Sequence, residues 1–145
     1  MKLKGKIKLA CYLFFTFLFL TGSIWWLLDK FVRVRSEIGE DHHPAQIVLF
    51  RAHGFSAYLF LIFFGVLIHS HVRPGLNSRQ RKSYKSGMGL LIAIGLLILT
   101  SSFNLFAPDG ALRELFVSFH RYLGVAFPVF LALHLGAKKW GRKRN

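Results

Sequence analysis

Apolar positions gather into four long runs separated by short polar stretches. Residues 9–28, 47–71, 88–107 and 115–136 are predominantly apolar. About twenty such residues, rising ~1.5 Å each, are what an α-helix needs to cross the ~30 Å hydrocarbon core of a bilayer. Turn formers separate the runs: Pro74, Gly75 and Asn77 follow the second, and Ala107-Pro108-Asp109-Gly110 follows the third. The pattern predicts an all-α integral membrane protein, an up-down four-helix bundle in a single membrane domain over 1–145. The opening MKLKGKIK and the apolar run behind it resemble a secretory signal, but the run continues without a small-residue cleavage site and reads as a retained span. Leu9-Ala10-Cys11 precedes the apolar region rather than following it, so it is not read as a lipidation box.

Composition agrees with a membrane class: 53% of residues are hydrophobic and 16% aromatic, and a water-soluble enzyme is not expected. Cys11 is the only cysteine, which excludes an intrachain disulfide, a thiolate metal cluster and covalent c-type haem attachment. The net charge of +14 would suit nucleic acid, but its distribution does not. Lys2, Lys4, Lys6 and Lys8, then Arg73, Arg79, Arg81, Lys82 and Lys85, then Lys138, Lys139, Arg142, Lys143 and Arg144 form three purely basic segments, each abutting a span end. The remainder balances six basic against six acidic residues. Such an asymmetry follows the positive-inside rule and predicts both termini and the middle loop in the cytoplasm. Trp25 and Trp26 then suit the outer interfacial belt and Trp140 the inner one. The segment Asp29 to Gln46 is expected as a solvated outer loop. Its Glu40-Asp41-His42-His43 cluster is more simply polar loop than metal site or proton relay.

Candidate chemistry lies in the second and fourth runs, where His53 and His71, and His120 and His134, stand near opposite ends. An ionisable side chain at membrane depth is costly unless it faces protein, water or a cofactor, and is a functional candidate by default. The two spans run parallel, so His53 pairs in depth with His120 on the outer side and His71 with His134 on the inner side. Two neutral imidazoles on opposite faces of haem b give six-coordinate iron suited to electron transfer. At ~100° per residue, His120 and His134 fall within roughly 40° of one helix face, and His53 and His71 share a face. His69 falls roughly 160° away from His53, which favours His71 as the inner ligand. Axial rise fits less well, ~27 Å for one pair and ~21 Å for the other, and helix or ring tilt must absorb the difference. Pro128, midway along the fourth span, is expected to disturb that helix near the carbonyl of Gly124. Arg51 and Arg121 flank the outer histidines and suit haem propionates or the interface itself.

An internal repeat pairs the spans two by two. Leu20-Thr21-Gly22-Ser23 in the first matches Leu99-Thr100-Ser101-Ser102 in the third, at the depth expected for His53 and His120. Small residues there allow close approach of helices or of a flat ring. The set His53-Gly54, Gly65, His71-Val72-Arg73, Ser86-Gly87, His120, Gly124 and His134, with the Thr-Gly motif of the first span, resembles small bacterial four-helix cytochrome-b-like membrane proteins, most of them assigned only to a domain of unknown function. The resemblance covers about Leu9 to Leu135. It implies b-type haem with His53, His71, His120 and His134 as ligands, and a place in the bacterial cytoplasmic membrane. Ser101 stands where a glycine is common in that family. More distantly the plan is similar to cytochrome b of the bc complexes.

The expected function is therefore a membrane cytochrome with two b haems, exchanging electrons with quinone or a redox partner subunit. Two other readings stay open: a cofactor-free membrane anchor or assembly subunit, and a histidine-based proton or metal transporter. Few acidic residues lie at membrane depth to serve the last.

Overall fold

The computed structural model describes residues 5–36, 39–77 and 84–142. Lys2, Lys4, Arg79, Arg81, Lys82, Lys143 and Arg144, and the side chains of Glu40, Asp41, Lys138, Lys139, Trp140 and Arg142, lie outside the described residues. Four helices are long and apolar enough to cross a membrane: Gly5–Phe31, Ala45–Leu76, Tyr84–Phe106 and Ala111–Gly136. Each matches one predicted run to within a residue or extends beyond it, because a helix keeps its backbone bonded into the polar flanks. The chain divides into two compact units, residues 1–70 and 71–145.

In the first unit, α1 (Gly5–Phe31) is followed by strands β1 (Arg33–Ser36) and β2 (Gly39–His42) and then by α2 (Ala45–Leu67). The helices meet through aromatic side chains. Phe14 stacks on Phe63 with ring centres 5.3 Å apart, and Phe15 lies 5.2 Å from Phe60. Nearer the hairpin, Trp25 sits 6.2 Å from Phe50. Cys11, Phe60, Phe64 and Leu67 are buried. The strands were not foreseen: Arg33 pairs with His42 and Ser36 with Gly39 in an antiparallel ribbon where a loop was expected.

Two residues of the polar cluster have structural roles in this unit. His42 Nδ1 lies 3.6 Å from a carboxylate oxygen of Asp29, at the end of α1. Nδ1 of His43 accepts from the backbone N–H of Ala45 at 3.2 Å. It thus occupies one of the four donors that a helix start leaves without an intrahelical acceptor, in place of a Ser or Asp cap.

Past Leu67 the helix widens into a π turn, Ile68–Val72, and closes with the short α3 (Arg73–Leu76). Pro74 supplies a physical reason. It has no N–H to give to the carbonyl of Ser70, and its ring crowds that carbonyl, so the bonding pattern upstream changes. The ideal-helix angles used for His69 and His71 therefore do not hold over this stretch, where each residue turns the chain less than an α-helical one does.

In the second unit, α4 (Tyr84–Phe106) and α5 (Ala111–Arg142) are joined by a bend at 107–110, where the tight turn was predicted. Gly110 has φ of 150°, a conformation that side chains disfavour. Asp109 pairs with Arg113 one turn into α5, and Arg113 Nε also donates to the carbonyl of Asn104 at 3.3 Å. Phe103 stacks on Phe116, ring centres 4.3 Å apart. Pro128 lies within α5, and the helix continues through it. Large apolar side chains face outward along all four long helices, among them Leu13, Ile62, Leu99 and Leu133.

Candidate functional site

Each of the four candidate histidines is half-buried. His53, in α2, turns toward α1. Its Nδ1 lies 3.1 Å from Thr21 Oγ1 and 3.1 Å from the carbonyl oxygen of Leu18. Gly22 leaves the space the ring occupies, since a Cβ there would come within 3.0 Å of His53 Cε1.

The second unit repeats the arrangement. His120 Nδ1, on α5, lies 3.0 Å from Thr100 Oγ1 on α4. One further contact sits at the other end of the same helix pair, where His134 Nδ1 is 3.3 Å from Ser86 Oγ. A Cβ on Gly87 would fall 3.3 Å from His134 Cε1. Fourteen positions separate Ser86 from Thr100 and fourteen separate His120 from His134, so two hydroxyls on α4 face two histidines on the antiparallel α5 in matched register. At ~1.5 Å per residue the two contacts are about 21 Å apart along the helices.

His71 and His134 come together. Their ring centres are 6.5 Å apart and their planes are nearly perpendicular, at 86°. His69, in the same π turn, is exposed. Comparison of the chain with family models, with curated proteins and with solved structures gives no match. The site therefore rests on its own geometry.

That geometry can be compared with metal ligation. With metal–nitrogen bonds of about 2.1 Å and about 1.1 Å from nitrogen to ring centre, two imidazoles on opposite sides of one ion have centres about 6.4 Å apart, against about 5 Å at a tetrahedral angle. The observed 6.5 Å between ring centres is close to the first of these distances. Among the described residues no group of three or more His, Cys, Asp or Glu is placed to hold a metal ion.

His53 and His120 belong to different units, and each is described with its own. Arg51 is exposed. Arg121 lines an open cleft at the start of α5 with Asp109, Arg113 and Glu114. Sequence reasoning saw Thr21 and Thr100 as small residues of a repeat and not as hydrogen-bond partners of histidine. The signal was present, because a hydroxyl residue followed by a small one, Thr21-Gly22, Ser86-Gly87 or Thr100-Ser101, supplies the contact to each of three histidines.

Proposed function

We propose that the chain is a four-span membrane cytochrome carrying two b haems, with His71 and His134 holding one and His53 and His120 supplying ligands for the other. It passes electrons across or within the membrane, exchanging them with quinone or a partner redox subunit. The observation that carries this reading is the approach of His71 and His134, 6.5 Å between ring centres, a separation at which the two imidazoles would hold one haem between them. The chemistry of the donor set agrees, since neutral imidazoles are the usual axial ligands of electron-transfer haem. Haem b, when bound, supplies reversible one-electron chemistry. The chain's own hydroxyl residues, Thr21, Ser86 and Thr100, orient His53, His134 and His120.

Outward-facing apolar residues along every long helix fit lipid as the surrounding solvent. The three purely basic segments support a cytoplasmic side for both termini and the middle loop, and the resemblance points to a bacterial cytoplasmic membrane. The test is a visible spectrum of the detergent-purified chain, oxidised and then dithionite-reduced, with pigment extracted in acid acetone. A b-type difference spectrum and two haems per chain are expected. A colourless protein overturns the reading in favour of a cofactor-free membrane subunit.

A further inference from the structure

We infer that Thr21 and Thr100 are a matched pair of positioning residues that hold His53 and His120 in the tautomer with its proton on Nδ1 and none on Nε2, the form in which Nε2 is a ligand. The inference builds on the haem reading for what Nε2 binds. The tautomer itself follows from the hydrogen bonds.

Thr21 Oγ1 lies 2.8 Å from the carbonyl of Phe17, four residues back on its own helix, and 3.3 Å from that of Leu18. Thr100 does the same, 2.7 Å from the carbonyl of Leu96 and 3.1 Å from that of Leu97. A hydroxyl has one proton, and here the shortest contact of each is to a carbonyl, which only accepts. What remains toward the histidine is a lone pair. Nδ1 of His120, 3.0 Å from Thr100 Oγ1, must therefore donate. His53 gives the same answer by a second route, because its Nδ1 is also 3.1 Å from the carbonyl of Leu18. Neutral imidazole carries one N–H, so with the proton on Nδ1 the Nε2 atom is unprotonated.

Burial makes these bonds count. Thr21 is 7% exposed and Thr100 is 2% exposed, so water does not compete for either hydroxyl. A ligating histidine whose other N–H is held by an acceptor is fixed in orientation and made more basic, and loss of such a partner typically costs about ten- to hundredfold in metal affinity. The same device appears once in each unit, at the repeated sequence motif.

The experiment uses the full chain with Thr21→Val, Thr100→Val, Thr21→Ser and Thr100→Ser. Valine keeps the shape and removes the oxygen, whereas serine keeps the oxygen. Histidine 15N shifts of protein produced without haem report the tautomer. Haem per chain and the midpoint potential of haem-replete protein report the ligand. The wild type is expected to show Nδ1–H at His53 and His120. Thr100→Val is expected to mix the tautomers at His120, and each valine variant to raise one haem's midpoint potential by making its ligand less basic. Both serine variants are expected to match the wild type. Nε2–H at either histidine in the wild type, or valine variants with unchanged shifts and potentials, would overturn the inference; so would serine variants that behave like valine. A wild type that binds no haem but shows Nδ1–H at both positions overturns the haem reading and leaves the tautomer assignment standing.

Discussion

Glycine at position 22 is fixed by a neighbour rather than by backbone conformation. Because its missing Cβ would press on the His53 ring at 3.0 Å, Gly22→Ala forces the imidazole to shift. The prediction is loss of the haem bound through His53, read as roughly half the pigment per chain. Gly87→Ala, where the contact to His134 is 3.3 Å, is expected to have the milder effect on haem content. The choice between His69 and His71 is sharper. His71→Ala is expected to lose the inner haem and His69→Ala to keep both, as read from reduced-minus-oxidised spectra, because His71 lies beside His134 and His69 is exposed. Loss of pigment from His69→Ala alone would reverse the assignment. The four histidines were legible in the sequence because ionisable residues stand out in apolar runs. Their partners were not, because Thr and Ser are common in membrane helices for packing alone, and only three-dimensional register shows which of them meets an imidazole.

At the scale of elements, the helices were readable to within about a turn at most ends, since hydropathy reports the hydrocarbon core and is silent about where a helix stops outside it. The β1–β2 ribbon was not readable. Its strands, RVRS and GEDH, hold one β-branched residue between them and show no alternation of apolar positions. The π turn was equally hidden, although Pro74 stood in plain sight. Pro74→Ala restores the N–H that the carbonyl of Ser70 lacks and relieves a clash worth about 3 kcal/mol in a regular helix. It is therefore expected to stabilise the helix as an isolated element. It also rotates His71 relative to its present position, so the inner haem signal is expected to broaden or fall while thermal stability rises. A variant whose inner haem is unchanged would show that the π turn does not set the direction of His71.

For the whole molecule, the charge pattern is the most testable feature. Reporter fusions at the C-terminus and within 73–85 are expected to report cytoplasm, because both segments carry basic residues and no acidic ones. A periplasmic signal from either exchanges the inner and outer sides of every site above. The division into two units has a consequence for biogenesis. Thr21 and His53 both lie before residue 70, and Thr100 and His120 both lie after it, so neither hydrogen bond waits on the other half of the chain. As the ribosome releases the first helical pair, His53 can be locked before the second pair is translated. On the proposed haem reading, each histidine is set before its haem is delivered. In cells starved of haem, the colourless chain is accordingly expected to accumulate intact in the membrane and to redden when haem is supplied, without new protein synthesis.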